Sequence, residues 1–307
     1  MSTNKIPIEG YCDPEFIAIE GEFKKNFDNR SEIGASVCVY KNGEKVVDLW
    51  GGHRDEARKH PWTENTITLM NSVAKSMCAL AVHVLADRDL VSLDEPVATY
   101  WPEFAQNGKD GILLRHVLGH QCGAIFSDTA KPGDWFDYHS QCAAIALQEP
   151  AWPFETKGAY NTINIGFILG EVVRHVTGKT IGTFIRNEIT NPLGAEYNIG
   201  LTKDEVALVA PMHPNPENQF WSQGAQEGSN LNRAWSGRPD RPDLLNCSEI
   251  REGELPAFGG HGNARGVARV YAMLAGNGKI EGVRLLRPAT VERLSKLQWE
   301  GLCEMTH

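Results

Sequence analysis

Ser72 and Lys75 stand three residues apart at the head of a stretch rich in Ala, Leu, Met and Lys, with no Gly or Pro until Pro96. That composition predicts a helix. A helix places side chains at this spacing on one face, about a turn apart. A hydroxyl beside an amine is the simplest nucleophile and base, provided the amine's surroundings favour its neutral form. A serine in the first helical turn also sits where the helix dipole favours a developing anion. The chemistry this pattern predicts is covalent hydrolysis through Ser-x-x-Lys. Spacing alone is weak: roughly one such pair arises by chance in a chain this long. Ser2 and Lys5 form a second pair at the N-terminus, where no activating cleft is expected. Ser72 differs because an apolar helix follows it, and apolar surroundings lower a lysine's proton affinity.

Tyr160 belongs to the same chemistry. It lies in Gly158-Ala159-Tyr160-Asn161-Thr162, a turn of small neighbours ahead of an apolar helix. A phenol held near an ammonium is able to exist as phenolate and serve as general base. Other patterns read as structural. His116 and His120 have the i, i+4 spacing of metal ligands, but Gly119 lies between them and no Glu follows His116, so no metal is expected. Thr177-Gly178-Lys179-Thr180 resembles the end of a phosphate loop, yet the first glycine position is Val173, so the stretch reads as a helix stop. Gly-x-Ser-x-Gly is absent.

The elements that must position these groups follow from periodicity. Phe16, Ile19, Phe23 and Phe27 predict an amphipathic helix over residues 14–27, capped by Asp13. Two β-rich runs, 34–40 and 45–50, flank Asn42-Gly43 and predict a hairpin. Helices are expected near 111–118, 140–148, 163–176 and 181–189. A long Pro-, Asn- and Gly-rich segment, 211–256, carries Trp221 and Trp235 and has the character of a cleft lining. Asn263 is expected to cap a helix over 264–275, with another over 288–297. The net charge of -9 argues against nucleic acid or an anionic membrane as partner. Seven cysteines without a Cys-x-x-Cys motif fit reduced thiols and a cytoplasmic setting.

Ser72-Val73-Ala74-Lys75, then Leu113-Leu114-Arg115-His116-Val117-Leu118-Gly119-His120-Gln121-Cys122-Gly123, then Tyr160-Asn161-Thr162 resemble the β-lactamase-related serine hydrolases. These include class C β-lactamases, family VIII carboxylesterases and DD-peptidases. Gly259-Gly260-His261-Gly262-Asn263-Ala264 and Gly282-Val283-Arg284-Leu285-Leu286 are similar to later landmarks of that family. The resemblance implies Ser72 as nucleophile, Lys75 and Tyr160 sharing the proton work, and a serine-bound acyl intermediate, with no cofactor and no metal. Thr162 stands where β-lactamases have a substrate-binding Asn, which tilts the expectation towards esters over β-lactams. The family's third motif (Lys-Thr-Gly, His-x-Gly or Trp-Gly-Gly) is expected on a strand after residue 307. Gly260-His261-Gly262 has its letters but precedes the wrong helix.

The sequence therefore predicts an α+β fold: an antiparallel sheet flanked by helices, plus a mostly helical domain. Residues 1–70 and 257–307 are expected to form a discontinuous sheet domain lacking its C-terminal strands, and 71–256 the helical domain. A shortened product, a partial chain or a sheet completed by another chain would each account for those strands. The hairpin would then expose an edge and an apolar face. The predicted function is hydrolysis of small esters. A β-lactamase or DD-peptidase is one alternative; a catalytically silent binding or scaffold protein is the other.

Overall fold

A computed structural model describes residues 6–213 and 226–305; the Ser2–Lys5 pair and Trp221 lie outside them. The N-terminal sheet is built on the anticipated hairpin. Strands β2 (Gly34–Lys41) and β3 (Glu44–Gly52) pair antiparallel around Asn42 and Gly43, whose φ values of 53° and 82° are those of a two-residue type I′ turn. A strand the sequence did not suggest, β1 (Ile8–Cys12), pairs with the other edge of β3, giving the order β1-β3-β2. Gly10 sits in β1 at φ 111°, and a Cβ there would lie 2.0 Å from the Asp48 carbonyl oxygen. Only glycine allows that approach.

Helix α1 (Ile17–Asn29) follows a 3-10 turn at Pro14–Phe16, capped by Asp13 as expected. Its Phe23 and Phe27 are buried against Val47 and Leu49 of β3. The hairpin is therefore not bare on that face. Burial of four such side chains contributes about 1.5–3 kcal/mol each. At the sheet's other side, α7 (Ala264–Ala275), capped by Asn263, packs on β2.

The larger core surrounds α2 (Val73–Asp87), apolar on nearly every side, as a helix in the middle of a domain must be. Around it stand α3 (Leu114–Leu118), α4 (Tyr138–Leu147), α5 (Asn164–Thr177) and α6 (Ile181–Ile185). The Thr177-Gly178-Lys179-Thr180 stretch is the joint between α5 and α6: Gly178 ends one helix at φ 70° and Thr180 caps the next. The last element, α8 (Pro288–Ser295), returns to pack on α2. Within 226–256, expected to be irregular, two short helices occur at Asn230–Ala234 and Ser248–Glu252.

A second small sheet holds the entrance to α2. Its order is β4 (Thr68–Leu69), β6 (Gly260–Gly262), β5 (Tyr197–Ile199). Gly260-His261-Gly262 is thus the buried central strand, and the Gly260 carbonyl accepts from the Met70 N–H at 2.8 Å, two residues before Ser72.

Candidate active site

Asn71 turns the chain from β4 into α2 through the left-handed region, at φ 46°. Asn tolerates this conformation better than most residues. The next residue, Ser72, is the N-cap of α2 and is exposed. Lys75, one turn on, is only 7% exposed. Its Nζ lies 3.0 Å from Ser72 Oγ and 3.0 Å from the Ala257 carbonyl oxygen. Burial lowers Lys75 to about 7, opposed weakly by Cys78. Near neutral pH the amine is therefore free of its proton far more often than an exposed lysine.

Tyr160 arrives from the turn before α5, and its hydroxyl donates to Ser72 Oγ at 2.8 Å. The Lys75 ammonium lies over its ring, 5.1 Å from the centroid. Burial raises the phenol's pKa and the bond to Ser72 opposes it only in part. The phenolate anticipated from sequence is thus not the resting form. Desolvation outweighs the bond to Ser72, which favours the phenol over the phenolate.

Ser72, Lys75 and Tyr160 converge as the sequence predicted. Thr162 does not join them by any hydrogen bond; it is 4% exposed and its hydroxyl is buried without a partner. Asn161, which sequence reasoning passed over, is wholly buried and ties the turn together: its amide donates to the Ala124 carbonyl, and its Oδ1 accepts from the Ile165 N–H at 3.0 Å. The Ala257 carbonyl was also missed. It reaches Lys75 because Gly166 leaves room: a Cβ on Gly166 would stand 2.4 Å from the Ala257 nitrogen. The glycine was visible in the sequence; its partner, distant in the chain, was not.

His116 and His120 part company at Gly119. His116 Nδ1 accepts from the Leu113 N–H at 3.1 Å and Nε2 meets Glu155 at 2.7 Å, while its ring stacks on Phe154. His120, at φ 58°, turns towards Tyr160. A cavity of about 1070 Å³ lies further along α2, lined by residues including Leu80, His83, Tyr271 and Leu294. Neither Ser72 nor Tyr160 lines it, so volume is no guide to the chemistry here.

An exposed hydroxyl, bonded to both a buried lysine and a half-buried phenol at a helix N-terminus, defines a serine hydrolase of the Ser-x-x-Lys type. Residues 23–302 match the β-lactamase family. The chain is 30% identical over 301 residues to the esterase/β-lactamase LipL of Mycobacterium tuberculosis, covering 94% of this chain and 69% of LipL. Its fold is similar to the crystal structure of a family VIII carboxylesterase (TM-score 0.85, 36% identity, 94% of this chain and 76% of the other). It is also similar to a penicillin-binding protein homologue from Caulobacter crescentus (TM-score 0.81, 34% identity, 93% and 76%). Of four other curated relatives the chain spans 41–54% of the length. The chain belongs to the β-lactamase family.

Proposed function

We propose that this protein hydrolyses small carboxylic esters through an acyl-serine, with Ser72 as nucleophile, Lys75 as base and Tyr160 as proton donor. One observation carries the reading: Ser72 Oγ lies within hydrogen-bond distance of both Lys75 Nζ and the Tyr160 hydroxyl. The neutral Lys75 amine takes the Ser72 proton as Oγ attacks the ester carbonyl. The Tyr160 phenol protonates the departing alkoxide and is reprotonated from Lys75. Water then enters and attacks the acyl carbon as it gives a proton to Lys75, which returns that proton to the departing Ser72 Oγ as the acid is released. The N-terminus of α2 stabilises the oxyanion.

The ester preference is supported by the likeness to LipL and to the family VIII carboxylesterase, and by Thr162 standing where an Asn amide would contact a β-lactam. Thr162 takes part in binding if substrate reaches its unpartnered hydroxyl, in which case Thr162→Val raises KM and leaves kcat. A β-lactamase or DD-peptidase activity is a second reading, favoured by the likeness to the Caulobacter homologue. No helix among the described residues is long and apolar enough to cross a membrane. All seven cysteines are outside disulfides, which supports a reducing compartment such as the cytoplasm.

The test is hydrolysis of p-nitrophenyl acetate and butyrate, beside labelling by a fluorescent penicillin and by a fluorophosphonate. Wild-type protein is expected to turn over the esters and gain one fluorophosphonate adduct at Ser72. Full ester activity in Ser72→Ala would sink the reading, and an absent adduct would leave the silent binding protein in its place.

A further inference from the structure

The phenol of Tyr160 is held at Ser72 by a segment whose successive backbone N–H groups are claimed from two sides. The Ala159 N–H donates to the His120 carbonyl at 3.0 Å, and the Asn161 N–H donates to His120 Nδ1 at 3.0 Å. Between them, the Tyr160 N–H donates to Cys303 Sγ at 3.3 Å. One histidine thus brackets the tyrosine through its main chain and its ring, and that ring lies 5.4 Å from the phenol ring, centroid to centroid. His120 reaches this position from a left-handed backbone conformation, φ 58°. A non-glycine residue adopts that conformation where its surroundings fix it.

The opposite side of the clamp comes from residues 299–305. Cys303 forms a parallel bridge with Gly158, and the Glu304 N–H donates to the Gly158 carbonyl at 3.0 Å. Trp299 covers Gly158 so closely that a Cβ there would lie 2.3 Å from its Nε1. Side chains add the Lys157–Glu304 ion pair at 3.3 Å. Cys303 meets Tyr160 at its backbone N–H, a contact that acts on the position of the ring.

We infer that His120 and Cys303 are positioning residues that set the Tyr160 phenol against Ser72, and that they act on the rate of acyl transfer and not on substrate binding. The inference rests on the hydrolase reading above. It requires His120 Nδ1 to be an acceptor, hence an imidazole protonated at Nε2 alone. Burial and the charge of Lys75 favour that neutral form, lowering His120 to about 4. A small misplacement of a reacting group is costly, on the order of 10²-fold per ångström.

His120→Ala, His120→Asn, Cys303→Ala and Cys303→Ser, each in the full chain, supply the test. The readouts are steady-state hydrolysis of p-nitrophenyl butyrate and the rate of fluorophosphonate adduct formation at Ser72, followed by intact mass. His120→Ala is expected to lower kcat about 10²-fold with KM within about twofold. His120→Asn, whose Oδ1 falls near the place of the imidazole Nδ1, recovers most of that loss. Cys303→Ala lowers kcat about fivefold and Cys303→Ser recovers most of it, since one modest hydrogen bond is removed and then replaced. A fall shared equally between kcat and KM, or equal losses in each Ala and conservative pair, overturns the inference. Should His120→Ala fail to fold, the Cys303 pair decides alone: equal rates for Ala and Ser overturn it. If wild-type protein gains no adduct at Ser72, the hydrolase reading falls and takes this one with it. If the wild type is labelled and all four variants are labelled at its rate, only the clamp is lost.

Discussion

Among the described residues two lysines are buried, and their surroundings separate the proposed base from a structural amine. Lys75 is 7% exposed and Lys109 is 0% exposed. Burial lowers both, to about 7 and about 8. A depressed pKa therefore does not distinguish them. Their partners do. Lys109 donates to three carbonyls, those of Gln106, Ala146 and Gln148, and so closes the end of α4. Carbonyl oxygens accept and do nothing else. Lys75 spends one donor on the Ala257 carbonyl and meets with another a hydroxyl that carries its own proton. Only there has proton transfer somewhere to go. A perturbed lysine is a candidate base when a group that can lose a proton touches it, and a strut otherwise.

Replacing Lys75 tests the contrast most severely. Lys75→Met removes the base while keeping the volume, and kcat/KM for p-nitrophenyl butyrate is expected to fall about 10³–10⁴-fold. Stability should change by no more than about 1 kcal/mol, since relief from burying an amine offsets the one carbonyl left unpaired. Activity within tenfold of wild type would place Lys75 in the same class as Lys109. Tyr160→Phe comes next. It keeps the ring under the ammonium and removes the proton donor, so kcat is expected to fall about 10²-fold with KM little changed. Single-turnover measurement of alcohol release checks it; an unchanged rate would leave Lys75 to act without the phenol.

How much of this contrast could be read from the chain follows from the range of each interaction. Ser72 and Lys75 are one turn apart on a helix that the local composition dictates, so their pairing was legible. Tyr160 was legible as a polar residue in a small-residue turn, and the resemblance supplied its partner. The hairpin at Asn42-Gly43 and the Asn263 cap were legible because each is set by a few adjacent residues. The Ala257 contact was not, because a carbonyl oxygen carries no residue type and reaches Lys75 from 182 positions away. Strand β1 was hidden because it is short, largely exposed and contains Gly10. His120 was read with His116 as a structural pair, which describes His116. Nothing in the spacing says that Gly119 ends α3 and sends the second ring to Tyr160. The phenolate expectation failed for a general reason: sequence shows which charge is near, but not how much water is gone.

The Lys109 half of the comparison breaks differently. Lys109→Met takes the ammonium donor from the Ala146 and Gln148 carbonyls and leaves Gln106 only the Lys109 backbone N–H, and the expected loss is about 2–3 kcal/mol of folding free energy. The turnover of the remaining folded molecules should match wild type. Urea unfolding beside active-site titration with the fluorophosphonate separates the two effects. A folded Lys109→Met with depressed kcat would mean that the strut also shapes the site.

The pH profile gives the finest discrimination, because only one of the two amines should appear in it. The base must be neutral, so kcat/KM is expected to rise with pH through a single limb near 7, the value to which burial brings Lys75, and to drop about tenfold per unit below it. Lys109 should leave no limb near 8, since it touches nothing that reacts. The sign for stability is the same for both: the unfolded chain holds its lysine protons up to about 10.4, so the folded state gains stability as pH rises from the depressed value towards that one. His120, lowered to about 4, works at the acid end, where stability falls as pH drops from about 6.5 towards 4. Loss of activity below pH 6 should then have two components: a reversible one from Lys75, seen at once on transfer, and an unfolding one. The unfolding component is expected to shift to lower pH in His120→Asn, which has no proton to gain. A limb near 7 that survives in Lys75→Met would assign it to some other group and remove the distinction between the two lysines.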